Sequence, residues 1–422
     1  MDRIVFGSFC MDAESGRLLR DGVDLELRPQ AFRALRVLLH HRGQFLDSDR
    51  LMHEAWGNTV VSRHTVAVTV GEAKKALQEY GVWISYRPKL GYCLDVPGSA
   101  DLLRTGWHLL NRRTREGAHS ALESFHRAAD QDASDFRPFE GISACYLLLG
   151  SYGMNAPLEM YRGFLDAHRR AVALHGLTPE LRADRAFGLH LFERRFDEAE
   201  RELLASLREN PGLASSHVRL AMLYVSLRRF DDAQRALEQG YRADALWPVL
   251  PATDLSVRFY RGDYVSAVEC GKRALELHPY LQLGRAFYGQ ALEFAGHLAE
   301  ALEQYRAART LSPDLPWVRA LESTCLARAG RTEDALRILC ELERFREEGY
   351  VDAYYVAALL AALGRPKQAI VELERAFDEN SPTLTILDVD PKMDSLRTDP
   401  HFARLRQRVM CGPALAALAA AV

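Results

Sequence analysis

The chain has 422 residues, of which 48% are hydrophobic and 26% are charged, and its formal net charge is −3. This composition is that of an ordinary soluble protein with enough apolar residues for a large core, and it excludes a generic binder of polyanions. The length predicts two or three domains, so charge has to be considered region by region.

Residues 1–28 contain three short strand-like runs, Ile4–Phe6, Arg17–Leu19 and Val23–Leu27, which are separated by the turn signals Glu14-Ser15-Gly16 and Asp21-Gly22. Alternating apolar residues bounded by such turns are typical of a small antiparallel sheet. The sequence therefore predicts that the chain begins with strands.

Three helices follow. Pro29 suits the first turn of one helix, Asp47 or Ser48 suits the cap of a second, and Ser62 suits the cap of a third. After Gly81, residues 83–86 and 92–96 have the composition of two strands around a turn.

The third predicted helix has two distinct faces. Val66, Val70, Ala73 and Leu77 recur at helical spacing and are expected to face a core. Polar and basic residues occupy the opposite face, among them Arg63, His64, Thr69, Glu72, Lys74 and Lys75. Residues 62–93 contain five Lys or Arg and two acids, a net charge of +3, whereas residues 1–97 carry only +1. The positive charge is thus concentrated around this helix and the two strands after it.

The next part of the chain repeats with a step of 34 residues. Six alanines keep this step: Ala199, Ala233, Ala267, Ala301, Ala335 and Ala369. Gly262, Gly296, Gly330 and Gly364 keep it too, five residues ahead of the last four alanines. A repeat of this length predicts stacked pairs of antiparallel helices, in which the small residue allows close packing and the glycine allows a left-handed turn.

We predict three parts: residues 1–97, a helical-repeat domain over residues 98–410 with about eight units, and a flexible tail at 411–422. The repeat is most regular over residues 183–380. Pro97-Gly98-Ser99 suggests the boundary, and Asp399-Pro400 suggests the start of a final capping helix. The fold class predicted is mainly α, with an N-terminal α+β domain before an all-α solenoid.

The first part resembles the OmpR/PhoB-type winged helix-turn-helix domain. The matching residues are Gly43-Gln44-Phe45-Leu46, Ala55-Trp56-Gly57, the run from Val61 to Val66, and Leu90-Gly91-Tyr92. Arg87-Pro88-Lys89 is more similar to the ToxR/CadC branch than to response regulators. The second part resembles the tetratricopeptide repeat (TPR) family, and the combination resembles HilA-like one-component regulators.

The first resemblance implies a DNA-binding surface. A helix fits the major groove, where its exposed polar side chains meet base edges and phosphates, and the tip of the wing contacts the backbone or the minor groove. The residues expected at DNA are Arg63, His64, Thr65, Thr69, Glu72, Lys74, Lys75, Arg87, Lys89 and Tyr92.

Glu72 departs from the family pattern, since such domains often have a basic residue there. It either accepts a hydrogen bond from cytosine, or lies on the surface, alone or paired with Lys75. His64 and the two lysines have a simpler alternative, as parts of a solvated helix face. The departure predicts modest affinity per monomer, with a homodimer or tandem sites needed for tight binding.

The second resemblance implies a groove lined by the first helix of each repeat. A mixture of aromatic and polar side chains suits a protein or peptide ligand, or a small effector. The alternative is ordinary helix surface and packing between repeats. The residues expected in the groove are Tyr260, Gln290, Glu293, Trp317, Thr324, Arg328 and Tyr354.

The pattern as a whole predicts a sequence-specific DNA-binding transcriptional regulator of one-component type. Its partners are expected to be double-stranded DNA and a protein, RNA polymerase being one candidate. The alternative is an interaction scaffold whose winged helix no longer binds DNA. An enzyme is not predicted, because the sequence has no phosphate-binding glycine loop, metal-ligand spacing or nucleophile motif.

The cysteines and the chain ends add a prediction about location. The seven cysteines include no Cys-x-x-Cys pair, which speaks against a zinc site or a disulfide framework, so no metal or cofactor is expected. The first residues lack the apolar core of a signal peptide, and the uncharged tract 412–422 is too short to span a bilayer. We therefore predict a cytoplasmic protein with reduced thiols and no membrane association.

Overall fold

The structure is a computed structural model. It describes residues 3–6, 9–20, 23–42, 44–57, 59, 61–78, 82–95, 99–247, 249–278, 282–313 and 315–411. Its contacts divide the chain into two compact units, one formed by residues 1–107 and 123–138 and the other by residues 108–122 and 139–422. The boundary predicted at residues 97 and 98 and the predicted tail from 412 onward lie outside the described residues.

The first unit begins with a four-stranded antiparallel sheet in the order β1-β2-β3-β4. Its strands are β1 (Arg3–Phe6), β2 (Phe9–Asp12), β3 (Arg17–Arg20) and β4 (Val23–Asp24). The sequence did not predict β2, and it extended β4 to Leu27. The strand stops earlier because Glu26 adopts a left-handed φ of 49°, which turns the chain out of the sheet.

Three helices and a hairpin complete the winged fold. The helices are α1 (Pro29–His40), α2 (Ser48–Trp56) and α3 (Arg63–Gln78), and the hairpin pairs β5 (Trp83–Arg87) with β6 (Gly91–Asp95). The Asp47 carboxylate caps α2 by accepting from the backbone N–H groups of Asp49 and Arg50. One continuous apolar core joins the sheet, the three helices and the hairpin.

Sixteen further helices follow within the described residues, and the last twelve of them pack as six consecutive pairs. They are α4 (Ser99–Asn111), α5 (Arg115–Gln131), α6 (Arg137–Ser151), α7 (Pro157–His175), α8 (Pro179–Leu191), α9 (Phe196–Glu209), α10 (Ala214–Ser226), α11 (Phe230–Ala243), α12 (Val249–Arg261), α13 (Tyr264–Leu277), α14 (Gln282–Phe294), α15 (Leu298–Leu311), α16 (Pro316–Arg328), α17 (Thr332–Glu348), α18 (Ala353–Ala362) and α19 (Pro366–Asp378).

The periodic alanines lie at the contact between the two helices of each pair. All six are fully buried, and the second helices of the six pairs begin at residues 196, 230, 264, 298, 332 and 366, which keeps the 34-residue step. A methyl side chain at this position lets the paired helices approach closely. The predicted reason for the alanine period is thereby confirmed.

The periodic glycines take the left-handed conformation. The φ angles of Gly262, Gly296, Gly330 and Gly364 lie between 70° and 91°. One and two steps earlier the same position is held by Arg228 and Arg194, whose φ angles are 60° and 52°. An arginine there costs on the order of 1 kcal/mol relative to glycine. Two repeats therefore carry backbone strain that the later four avoid.

After α19 the chain leaves the repeat pattern. Residues 381–396, here called the C-terminal segment, contain two short 3-10 helices, Pro382–Ile386 and Pro391–Leu396. The first packs against α8 and α10, and the second packs against α18 and α19. The chain ends in α20 (Pro400–Met410), which Asp399 caps by accepting from the His401 backbone N–H at 2.7 Å. This is the predicted capping helix.

Candidate nucleic-acid interface

Helix α3 is held against the winged core by the face that the sequence predicted. Val66, Val70, Ala73 and Leu77 are each at most 2% exposed. Ser62 caps the helix, because its hydroxyl accepts from the Thr65 backbone N–H at 3.1 Å. The opposite face is therefore directed toward solvent.

Four of the predicted DNA-contacting residues lie on that exposed face: Arg63, His64, Lys74 and Lys75. Arg63 forms an exposed ion pair with Asp49, with Nη2 and Oδ2 2.9 Å apart. An exposed pair of this kind is worth less than about 1 kcal/mol, so phosphate oxygens can compete for the guanidinium. These four residues form a basic stripe along one side of the helix.

Thr65 and Thr69 are not part of this stripe. The Thr65 hydroxyl lies 3.0 Å from the Ser62 hydroxyl, within the helix cap. Thr69 is only 4% exposed, so the prediction that it meets a base edge is wrong. Its position three residues after Val66 and four before Ala73 places it on the buried side of the helix.

Glu72 is turned away from the stripe and is bound to Arg28, the residue before α1. Its Oε1 accepts from the Arg28 backbone N–H at 3.0 Å, and its Oε2 accepts from the Arg28 guanidinium. Hydrogen bonding by Arg28 lowers the pKa of Glu72 below its usual value, so the carboxylate stays ionised. The expected ion pair with Lys75 is wrong, because Arg28 engages both oxygens, and this arrangement does not favour the expected bond to cytosine.

The exposed face of α3 also contains residues that the sequence analysis missed. Ala67, Val68 and Gly71 are exposed, and half of the Val68 surface is accessible. Among the described residues, no atom lies within 4 Å of the place that a Cβ on Gly71 would take. They follow the same helical spacing as residues 63, 64, 74 and 75, and this spacing could have placed them on the exposed face from the sequence alone. Small apolar side chains can contact a thymine methyl group.

The wing is fixed to the turn before α2. The backbone N–H of Leu46 donates to the carbonyl of Tyr92 and the N–H of Tyr92 donates to the carbonyl of Leu46, both at 2.8 Å. Gly91 has a φ of 92°, and a Cβ there would lie 1.8 Å from the Leu46 carbonyl oxygen. The glycine in Leu90-Gly91-Tyr92 is therefore required for this close approach.

The predicted wing residues comprise two exposed cations and a half-buried tyrosine. Arg87 and Lys89 are exposed, and the Arg87 guanidinium lies 5.0 Å from the centre of the Phe45 ring. Tyr92 is half-buried beside Tyr86, with ring centroids 4.9 Å apart. Burial raises the pKa of Tyr92 above its usual value, so its hydroxyl remains a hydrogen-bond donor at neutral pH.

The predicted groove residues of the repeats have partners within the protein. Gln290, Glu293, Trp317, Thr324 and Tyr354 are all at most 4% exposed. Thr324 donates to the Ala320 carbonyl of its own helix, at 2.8 Å. The prediction that these five side chains are available to a partner is wrong in this conformation, since they are covered.

The C-terminal segment supplies much of that cover. Lys392 Nζ donates to Gln290 Oε1 at 2.6 Å and lies 2.9 Å from Asp390 Oδ1. The Tyr354 hydroxyl donates to Asp390 Oδ2 at 2.9 Å. Both charged side chains of this ion pair are at most 2% exposed. The segment therefore fills part of the face on which the sequence predicted a ligand.

Two groove residues remain accessible. Arg328 is exposed, with its guanidinium 4.0 Å from the centre of the Phe294 ring and its Nε 3.6 Å from Glu293 Oε1. Tyr260 is half-buried and lines a cavity. Of the groove predicted from the sequence, the structure thus leaves one cation and one phenol accessible.

The described residues also restrict other kinds of site. Their His, Cys, Asp and Glu side chains form no group of three that could hold a metal ion. Of the helices in the described ranges, none combines the length and the apolarity that crossing a bilayer requires. All seven cysteines are free thiols.

Comparison with known proteins gives a family match for the winged domain. Residues 22–94 match the family model "Transcriptional regulatory protein, C terminal". The first unit thus contains an OmpR/PhoB-type winged domain, the DNA-binding domain of a transcriptional regulator. Tetratricopeptide-like helical repeats follow it.

One curated relative matches a short part of the chain. The transcriptional activator CadC of Escherichia coli K12 is 30% identical over 95 residues, which are 22% of this chain and 19% of CadC. The chain thus matches about a fifth of the length of that relative. The solved DNA-binding domain of E. coli CadC is 29% identical, covers 22% of this chain and 91% of that domain, and gives a TM-score of 0.21.

Two solved structures match over most of this chain's length. The human IFIT1 dimer with PPP-AAAA is 13% identical, with a TM-score of 0.51 over 91% of this chain and 96% of IFIT1. A tetratricopeptide repeat protein of Parabacteroides merdae is 11% identical, with a TM-score of 0.36 over 74% of this chain and 98% of that protein. At these identities the similarity concerns the fold alone.

Proposed function

We propose that the protein is a sequence-specific transcriptional regulator of one-component type. Its winged domain reads promoter DNA through α3 and the wing, and its repeats receive a protein or effector signal. The proposal places the protein in the cytoplasm and needs neither an enzymatic step nor a cofactor. The relative's name, transcriptional activator CadC, agrees with this role.

One observation carries the proposal. The exposed face of α3 presents Arg63, Lys74 and Lys75 with no acid of α3 among them, because Glu72 is bound to Arg28. Asp49 of α2 meets Arg63 only in an exposed ion pair. Cations on a helix of this kind neutralise phosphates while small side chains between them approach the bases. The same observation weakens one of the two grounds for the scaffold alternative, an acid in the contact face; the other ground is the net charge of only +1 over residues 1–97.

DNA binding can be tested with the full chain. A random-sequence duplex pool is selected on the protein, and the binding of enriched duplexes is followed by fluorescence anisotropy between about 50 and 200 mM salt. We expect affinity to fall steeply with salt, because binding releases counterions from the phosphates. Failure to enrich any sequence at the lowest salt would contradict the proposal.

The contact face can be tested by charge removal. We expect Lys74→Ala with Lys75→Ala to lower affinity roughly tenfold at about 100 mM salt and to reduce the salt slope by about two. The matched control is Lys272→Ala with Lys367→Ala, which removes two exposed lysines from the repeats and should leave affinity unchanged. Equal effects of the two pairs would show that only overall charge matters.

We further propose that the protein binds as a homodimer or at tandem sites, because one α3 offers few cations. The salt slope and the stoichiometry from the same titration test this point. RNA polymerase is the protein partner that a promoter-bound activator would meet, and co-purification of polymerase with the full chain on its enriched duplex tests that contact. A stoichiometry of one chain per isolated site would contradict the dimer.

A further inference from the structure

The helical repeats enclose a cavity of about 130 Å³. Its walls come from the first helices of consecutive pairs and from the 3-10 helix Pro382–Ile386 of the C-terminal segment. Most of the large side chains of the wall are aromatic or aliphatic, among them Phe187, Met222, Phe287, Tyr260 and Tyr355. An apolar cavity of about 150 Å³ is large enough to bind benzene, so this one has the size of a single ring or a short alkyl chain.

The hydroxyl groups of the wall are largely engaged already. Thr253 and Ser256 donate to the carbonyls of Val249 and Ala252 in their own helix, both at 2.9 Å. Thr383 donates to Asp352 Oδ2 at 2.8 Å. A ligand along these walls therefore meets mainly hydrocarbon surface.

One lining residue differs from the rest. Arg113 is the only side chain with a formal charge among the lining residues that the structure describes. It is half-buried, and its Nη1 donates to the Tyr152 hydroxyl at 3.4 Å. A guanidinium in the wall of an otherwise apolar cavity favours a ligand that carries a single negative charge, since an arginine binds a carboxylate through two parallel hydrogen bonds.

We propose that this cavity binds a small apolar monocarboxylate of about seven to ten non-hydrogen atoms, such as an aromatic acid or a short aliphatic acid. The hydrocarbon part packs against the aromatic wall, and the carboxylate pairs with Arg113. The inference deepens the proposed function, because it gives the effector role of the repeats a site and a ligand class. It also places the ligand against residues 382–386, so that a ligand bound in the cavity contacts the C-terminal segment.

Ligand-observed NMR titrations of the full chain test the proposal without DNA, so their failure would leave the DNA-binding proposal untouched. The probes are benzoate, hexanoate and the uncharged analogue benzyl alcohol. We expect saturable binding of at least one acid, and roughly tenfold weaker binding of benzyl alcohol than of benzoate, because the alcohol lacks the charge-assisted bonds. Comparison of the two acids separates an aromatic from an aliphatic ligand.

Three variants locate the site. Arg113→Gln should weaken benzoate binding roughly tenfold and leave benzyl alcohol unchanged, whereas Arg112→Gln, an exposed neighbour with the same charge change, should alter neither. Ala252→Phe should weaken both probes by filling the cavity. Should Ala252→Phe fail to fold, as judged by its thermal melt, Ser256→Leu fills the same wall.

The proposal is overturned by any of three results: no saturable binding of either acid, equal affinity for benzoate and benzyl alcohol, or equal losses in Arg113→Gln and Arg112→Gln. The last result would show attraction to surface charge rather than binding in the cavity.

Discussion

The winged domain and the repeats carry comparable sets of polar residues on predicted contact faces, but the structure exposes one set and covers the other. In the winged domain Arg63, Lys74 and Lys75 face solvent. In the repeats Gln290 and Tyr354 bind the C-terminal segment instead. The difference shows that a contact face predicted from helical phase is available only where no other part of the chain occupies it.

The largest effect is expected from Lys392→Met, because this substitution disturbs the segment that covers the repeats. Removing one partner of a buried ion pair costs about 3–5 kcal/mol, because Asp390 would keep a buried charge without its cation. Urea unfolding monitored by circular dichroism should show a loss of this size in the free energy of unfolding.

Its control is Lys367→Met, which replaces an exposed lysine of α19 and should be nearly neutral. Asp390→Asn combined with Lys392→Met should recover part of the loss, since it removes the unpaired charge. Similar unfolding curves for the two single lysine variants would mean that the covered face does not depend on this ion pair.

An intermediate effect concerns Glu293, a buried acid on the covered face. Burial raises its pKa to about 7, against the opposing influence of the Tyr305 hydroxyl, Arg328 and Lys392. Because this pKa exceeds that of an unfolded glutamate, the folded protein holds an extra proton from roughly pH 4.5 to 7, and stability falls as the pH rises through this range. Glu293→Gln should remove that loss.

The measurement compares urea unfolding of the wild type and Glu293→Gln at pH 5 and pH 8. The variant should gain about 1–3 kcal/mol relative to the wild type at the higher pH. Glu140, whose pKa burial also raises to about 7, titrates in both proteins and cancels in the difference. Parallel pH profiles would show that Glu293 does not titrate in this range.

The smallest effect is expected on the exposed face of the winged domain. Glu72→Gln should change DNA affinity less than about twofold, because the carboxylate faces Arg28 rather than DNA. Gly71→Glu places the same charge one residue earlier, on the open side of α3, and should weaken binding several-fold through repulsion of phosphate. Anisotropy titrations that rank the two variants in the opposite order would place Glu72 at the interface.

Much of the fold could be predicted because it follows from local periodicity. The buried alanines, the left-handed glycines and the caps at Asp47, Ser62 and Asp399 depend on residues close in sequence. The strand β2 was missed because the turn signal Glu14-Ser15-Gly16, which follows Phe9–Asp12, was assigned to the end of the Ile4–Phe6 run instead.

The site could be predicted only in part, since two kinds of contact have no local signal. The pair Arg28–Glu72 joins residues 44 positions apart, and the bond from Lys392 to Gln290 spans 102 positions. The C-terminal segment has no helical period from which its path across the repeats could be predicted. Thr69, by contrast, could have been assigned to the core from its spacing to Val66 and Ala73 alone.

Arg194 and Arg228 occupy the left-handed position that later repeats give to glycine, and both extend toward the chain that returns after α19. Arg194 Nη2 lies 3.5 Å from the Ser381 carbonyl oxygen, and Arg228 Nη1 lies 3.2 Å from that of Asp388. At these two positions the backbone carries strain, and the arginine side chain bonds to a part of the chain far away in sequence. The otherwise similar repeats are thereby made unequal: in these two, the residue that carries the left-handed turn also attaches the end of the chain.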